Sequence, residues 1–269
     1  MPPGGGHVLD KASDKTVRIL LTNDDGIHAK GLGVLEQVAR QLSDDIWIVA
    51  PELEQSGKGR AISLTEFVRV REVRPQTYSV NGTPSDCVLL ALDELMPEKP
   101  DLILSGVNAG QNIAEDTTFS GTIAAALFGM QHGVPAIALS QSRGFQTPHS
   151  CPWDTPLAWG ERVLRPLIEN GWPNDLILNV NFPDRAPDQV AGIQFTRQGF
   201  RDERIIRTEA REDLRGNTYY WIGYRGKLSN PDKGTDLRAI YDGYVSVSPL
   251  HVDLTHERFL QEMTQRWPA

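Results

Sequence analysis

Arg18-Ile19-Leu20-Leu21-Thr22-Asn23-Asp24-Asp25-Gly26 is where the chain's architecture and its chemistry meet. From Val17 to Thr22 the run is apolar without alternation, the pattern of a strand covered on both faces. It ends in two adjacent carboxylates. In a regular strand Asp24 and Asp25 would point to opposite faces. Gly26 lets the chain turn at once, so both can face one site. Two unit charges about 4 Å apart repel by roughly 4 kcal/mol at an effective dielectric of about 20. A divalent cation turns that cost into attraction. Taken alone, Asp24-Asp25-Gly26 is equally an ordinary turn with an Asx cap.

Outward from this strand, the spacing of Leu32, Leu35, Val38, Ala39 and Leu42 predicts a helix over 31–42. A second buried strand is expected over 46–50, closed by Pro51, which makes a βαβ unit. Residues 67–73 and 76–80 alternate as a hairpin would, and Asn81-Gly82 is a turn signal. Thr83 and Pro84 read as the cap and first turn of a helix that includes 87–95. Further strands are expected at 102–104, 135–140 and 176–180, and helices at 121–131 and 156–169. After about residue 190 the texture changes to strand-like segments (193–196, 218–222 and 244–247) between polar loops. The expectation is an α/β fold with a doubly wound, mostly parallel sheet and a C-terminal antiparallel β extension. Three parts follow: a leader over 1–16, an α/β core over 17–190, expected to carry any active site, and an extension with a terminal helix over 191–269, expected to pack as an arm on another subunit.

The chain of 269 residues can bury a full core, and its net charge of −8 argues against a nucleic-acid scaffold. A small phosphorylated substrate remains open, because a metal supplies positive charge locally. Cys87 and Cys151 are the two cysteines and are far apart. This excludes a disulfide framework and suits a reducing cytoplasm. No apolar run approaches the ~20 residues of a membrane helix. The leader, with Pro2-Pro3-Gly4-Gly5-Gly6, lacks the apolar core of a signal peptide and reads as disordered.

Polar residues of one kind collect at three strand ends. The first gives Asn23, Asp24 and Asp25, and the second leads through Glu52 to Gln55-Ser56-Gly57. The third gives Ser105-Gly106-Val107-Asn108 and then Asn112. Parallel sheets bind ligands at the carboxyl ends of their strands. Carboxylate, hydroxyl and amide oxygens are hard donors that suit Mg²⁺ or Mn²⁺. Ser120 reads as the N-cap of the helix at 121, where its hydroxyl and the first amides, of Gly121 and Thr122, form an anion site. Simple capping is the plainer alternative. Gly31-Leu32-Gly33 hints at a dinucleotide fingerprint, but Glu36 replaces the third glycine and the motif lies too far past the strand. His28 reads as a loop residue.

These residues resemble the SurE family of survival-protein nucleotidases (5'/3'-nucleotidases). The resemblance rests on segments 18–26, Gln55-Ser56-Gly57, 82–88, 105–112, Ser120-Gly121-Thr122, 216–223 and 243–255, in family order. It implies a Rossmann-like fold with a C-terminal extension that joins subunits into a homodimer or homotetramer. It also implies a divalent-metal-dependent phosphomonoesterase acting on nucleoside monophosphates. The metal ligands it implies, for one ion per subunit, are Asp24, Asp25, Ser56 and Asn108. Asn112 and Ser120 are implied beside the substrate phosphate, next to the Gly121 and Thr122 amides read above as an anion site. Lys30, Ala114 and Phe119 stand where the family commonly has proline, glycine and tyrosine. The expected reaction is attack by metal-activated water, without a covalent nucleophile, since the Asp-x-Asp of a phosphoaspartate route is missing. Asp24 or Asp25 takes the water's proton in that reading. A catalytically silent nucleotide-binding regulator, and a hydrolase of polyphosphate or a phosphosugar, are the competing expectations.

Overall fold

The computed structural model describes residues 6–7, 16–144, 151–202, 205–224 and 228–267. Most of the expected leader lies outside these residues. Within it, Gly6–His7 pairs antiparallel with Trp172–Pro173.

Strand β1 (Arg18–Thr22), helix α1 (Lys30–Ala39) and strand β2 (Asp45–Pro51) form the expected βαβ unit. Strands β3 (Val70–Arg74) and β4 (Thr77–Val80) pair antiparallel as a hairpin. Helix α2 (Pro84–Leu90) starts on a reciprocal cap. Thr83 Oγ1 accepts the Asp86 N–H at 3.2 Å, and the Asp86 carboxylate accepts the Thr83 N–H at 2.8 Å. A π-helical turn, Ala91–Leu95, prolongs it. Strand β5 (Leu102–Ala109), helix α3 (Gly121–Gln131), strand β6 (Ala136–Gln141), helix α4 (Asp154–Asn170) and strand β7 (Leu176–Phe182) follow in alternation. Both β5 and β7 run past their expected ends. Ser105 and Asn181, polar residues that look like strand stops, are fully buried within the sheet.

The last part of the chain contributes strands β8 (Gly192–Phe195), β9 (Ile206–Glu212) and β10 (Thr218–Tyr224). Helix α5 (Asp236–Tyr241), strand β11 (Tyr244–His251) and helix α6 (Glu257–Arg266) complete it. The central sheet has nine strands in the order β8-β11-β7-β6-β5-β1-β2-β4-β3. Its six middle strands are parallel. Numbered by themselves in chain order, they run 3-2-1-4-5-6, the doubly wound order of a Rossmann-type sheet. The antiparallel extension is smaller than expected. β11 pairs antiparallel with β7, and β8 pairs parallel with β11, so both enlarge the central sheet. Only β9 and β10 stand apart, as a separate hairpin. The serines in β11 disguise a buried strand: Ser246 and Ser248 are satisfied by Thr196 Oγ1, each at 2.7 Å.

Side chains alternate between two cores, as a doubly covered sheet requires. Ile19 and Leu21 pack with Leu35 of α1 and Val163 of α4. Leu20 packs on the other face with Val88 of α2 and Ile123 of α3. The glycine at 31 is explained by packing. A Cβ there would lie 1.9 Å from the Val107 carbonyl oxygen, so α1 approaches β5 only without a side chain. No helix among the described residues is long and apolar enough to cross a membrane.

Candidate active site

Strands β2, β1 and β5 are neighbours, so the three polar strand ends do share one rim. The rim lies at the topological switch point between β1 and β5, where the strand order reverses and a crevice opens. Gly26, at φ +103°, turns the chain away from the end of β1. Asn23 Nδ2 braces that turn by donating to the Gly26 carbonyl at 2.9 Å.

Asp24 is buried, 4 % exposed, and faces the start of α3. Thr122 Oγ1 donates to its Oδ1 at 2.6 Å. A Cβ on Gly121 would sit 2.9 Å from its Oδ2, so only glycine lets the helix N-terminus come this close. Burial pushes the Asp24 carboxyl up to about 6; the Thr122 hydroxyl opposes this, and the charge on Asp25 adds to it. Asp25 is half-buried and accepts the Ala109 N–H at 3.0 Å, which ties it to the end of β5. Its pKa is raised, mainly by burial, against the pull of that N–H.

The second strand end reaches the first through the backbone: the Gln55 N–H donates to the Asp24 carbonyl at 2.7 Å. Ser56 is exposed, and its hydroxyl donates to Glu54 at 2.9 Å, leaving its lone pairs free. Farther along this loop the Gly59 N–H donates to the Phe119 carbonyl at 3.1 Å, next to Ser120. At the third strand end the register against β6 shifts between Ser105 and Asn108, which re-aims Asn108. Asn108 Nδ2 donates to the Gly110 carbonyl at 2.8 Å, so its Oδ1 is the free end.

Asn112 is held on every side. Its N–H donates to Asn181 Oδ1 at 2.9 Å, and its carbonyl accepts from Asn179 Nδ2 at 2.8 Å. Its Nδ2 donates to Ser140 Oγ at 2.8 Å and makes a long 3.4 Å contact with Thr122 Oγ1. Ser120 caps α3 as expected, accepting the Ile123 N–H at 3.1 Å. Ser120 accepts the cap bond and keeps its own hydroxyl proton to donate, whereas Thr122 gives its proton to Asp24. The N–H groups of Gly121 and Thr122 have no acceptor among the described residues.

Sequence reading passed over several residues of the rim. Glu54 accepts from Ser56 and raises both aspartates electrostatically. Arg143 acts on Asp25 in the opposite sense. Ser140, Asn179 and Asn181 form the polar floor under Asn112. The signal for that floor is Leu178-Asn179-Val180-Asn181, where amides interrupt an otherwise apolar strand. His28 is an exposed loop residue.

The donors here are carboxylate, amide and hydroxyl oxygens, a hard set that fits a small divalent cation. Among the described residues no group of three or more His, Cys, Asp or Glu is placed to hold a metal. This rim brings only two aspartates and takes its other oxygens from neutral side chains. A buried Asn23 Oδ1 without a hydrogen-bond partner lies beside them, an oxygen that a cation or its water can satisfy.

The profile of the family described as Survival protein SurE matches residues 19–204. A 5'-nucleotidase SurE of Hyphomonas neptunium is 69% identical over 94% of this chain and 100% of its own length. Another from a Caulobacter species is 55% identical over 92% of this chain and 93% of its own length. The crystal structure of SurE protein from Aquifex aeolicus superposes with a TM-score of 0.80 at 35% identity, covering 93% of this chain and 99% of that one. A profile match across most of the chain, two near-full-length relatives and a shared architecture lead to one conclusion: this chain belongs to the SurE family.

Proposed function

We propose that this chain is a 5'-nucleotidase, a phosphoric monoester hydrolase that splits nucleoside 5'-monophosphates, and 3'-monophosphates as well, into nucleoside and phosphate. The observation that carries this reading is the bond from Thr122 to Asp24. It presses a helix N-terminus with unsatisfied amides against a buried carboxylate, so an anion seat and a cation seat adjoin. A phosphate monoester with its counter-cation needs that pairing. Asp24, Asp25, Ser56 and Asn108 hold one divalent ion per subunit, Mg²⁺ or Mn²⁺, in this reading. Bound there, the ion supplies Lewis acidity to the phosphoryl group and lowers the pKa of the attacking water.

The chain's own residues do the rest. The amides of Gly121 and Thr122 receive the equatorial phosphoryl oxygens, over which charge spreads in the transition state. Asn112, immobilised by Ser140, Asn179 and Asn181, offers them the N–H that now makes only the long contact with Thr122. Asp25 or Asp24 accepts a proton from the attacking water as its oxygen bonds to phosphorus; the bond from phosphorus to the nucleoside oxygen breaks, and that oxygen leaves with the proton returned to it. The exposed Tyr220, Trp221 and Ile222 of the β9–β10 hairpin, with Phe259 and Leu260 of α6, support a homodimer or homotetramer built through these arms. Unpaired Cys87 and Cys151 suit action in the cytoplasm.

The test is phosphate release from a panel of nucleoside 5'- and 3'-monophosphates, polyphosphate and sugar phosphates, with Mn²⁺, with Mg²⁺ and with a chelator. Preference for the nucleotides, lost with chelator and restored by metal, is expected. Turnover that ignores the chelator contradicts the reading.

A further inference from the structure

The loop between Asn112 and Ser120 holds an unusual backbone. Ala114 stands at φ +54°, in the left-handed region that side chains other than glycine seldom adopt. A short 3₁₀ turn, Ala114–Thr118, then leads to Ser120. Ala114 is fully buried and packs with Ile113, Leu237 and Ile240 in an apolar cluster apart from the two main cores.

The loop's polar anchors come from more than eighty residues later in the chain. Asp236, fully buried at the start of α5, accepts the Ala114 N–H on Oδ2 at 2.9 Å. Its Oδ1 accepts the N–H groups of Gly199 at 2.8 Å and Leu237 at 2.7 Å. Arg201 grips the next two residues. It donates from Nη1 to Glu115 at 3.1 Å and from Nη2 to Asp116 at 2.5 Å, and its backbone N–H donates to Glu115 at 2.8 Å. Three consecutive loop residues are thereby tied to Arg201 and Asp236.

We infer that Asp236 and Arg201 are positioning residues: they set the shape of the loop that carries Asn112 at one end and Ser120 at the other, and so set the affinity of the phosphate seat. The inference rests on the hydrolase reading above and deepens it. Asp236 is suited to the task because both its oxygens are used. An asparagine there keeps one acceptor and turns an NH₂ toward a backbone N–H, so at least one anchor is lost. Where the lost anchor is the Ala114 N–H, the bond that holds this residue at positive φ is gone, and Asn112 and Ser120 shift relative to each other. The two aspartates among the cation donors have supports that do not involve Asp236 or Arg201, namely Thr122 and Ala109.

The experiment compares wild type, Asp236→Asn and Arg201→Gln. It measures kcat and KM on a nucleoside 5'-monophosphate, the inhibition constant of inorganic phosphate, and Mn²⁺ affinity by calorimetry. Each variant is expected to weaken phosphate inhibition and raise KM about tenfold, with Mn²⁺ affinity within twofold of wild type. Folded variants with wild-type phosphate inhibition overturn the inference, and so does an equal loss of Mn²⁺ and phosphate affinity. A wild type that hydrolyses no phosphomonoester instead fails the hydrolase reading, independently of these variants. Should both variants fail to fold, hydrogen exchange on the wild type decides: the Ala114 amide should exchange far more slowly than that of Leu214, fully exposed between β9 and β10. Equal rates overturn the inference.

Discussion

The switch-point rim and the β9–β10 hairpin invert the usual distribution of polarity in opposite directions. At the rim, Asp24, Asn112, Thr122, Asn179 and Asn181 are polar and buried. On the hairpin, Tyr220, Trp221 and Ile222 are apolar and 60 to 72% exposed. Burying polar groups and exposing aromatic ones both cost free energy unless a partner is supplied. The rim supplies part of its own partnership through a side-chain network and leaves two amides and two carboxylates for a ligand. The hairpin supplies none. The contrast matches the proposed function, with a small charged guest at the rim and a second subunit against the hairpin.

The rim side of this contrast breaks most sharply at Asp24. Asp24→Asn keeps the shape and the bond from Thr122 but removes the charge. It should lower kcat/KM by about a thousandfold or more, roughly 4 kcal/mol of transition-state stabilisation. Steady-state assays at saturating Mn²⁺ check this. Thr122→Val tests the link between the two seats. It deletes the proton given to Asp24 and the long contact from Asn112. A loss of about ten- to a hundredfold in kcat/KM is expected, in line with about 1.5–3 kcal/mol for a hydrogen bond to a charged group.

A third prediction separates stability from function at the same residue. Burial raises Asp24 from the ordinary 3.8 to about 6, so without metal the fold disfavours its ionised form. The penalty is absent below both values, grows as the pH rises between them, and is complete above the higher one. Metal-free Asp24→Asn should therefore be more stable than wild type by about 1–3 kcal/mol above pH ~6. That gain should fade toward pH ~4. Urea melts at the two pH values check the sign. The smallest effect on turnover is expected at the hairpin. Replacing Tyr220, Trp221 and Ile222 together by serine should lower the molar mass seen by light scattering while per-subunit kcat changes less than about threefold, because these exposed residues belong to a hairpin separate from the central sheet.

Much of this contrast was legible in the residues themselves. Val17–Thr22 gave β1, the stripe from Leu32 to Ala39 gave α1, and Thr83-Pro84 gave the start of α2. The three polar strand ends were legible as a set, but that their strands are neighbours came from the sheet order. Polar residues inside strands hid the rest. Ser105 and Asn181 looked like strand ends, and Ser246 and Ser248 made β11 look like part of a peripheral arm. A serine or asparagine satisfied by a neighbour on another strand has the same letter as one facing water. Glu54 and Arg143 were missed for a related reason: their influence on the aspartates depends on where two loops fold back. The clamp by Asp236 and Arg201 joins residues too distant in the chain for any local pattern to reveal.

The account stands on one dication gathered by donors from the ends of β1, β2 and β5. Anomalous diffraction from crystals soaked in manganese tests this most directly. It should show a single strong peak per chain within about 2.0–2.3 Å of oxygens of Asp24, Asp25, Ser56 and Asn108, as hard divalent ions bind. A manganese peak elsewhere, with those four side chains turned away from one another, would contradict it.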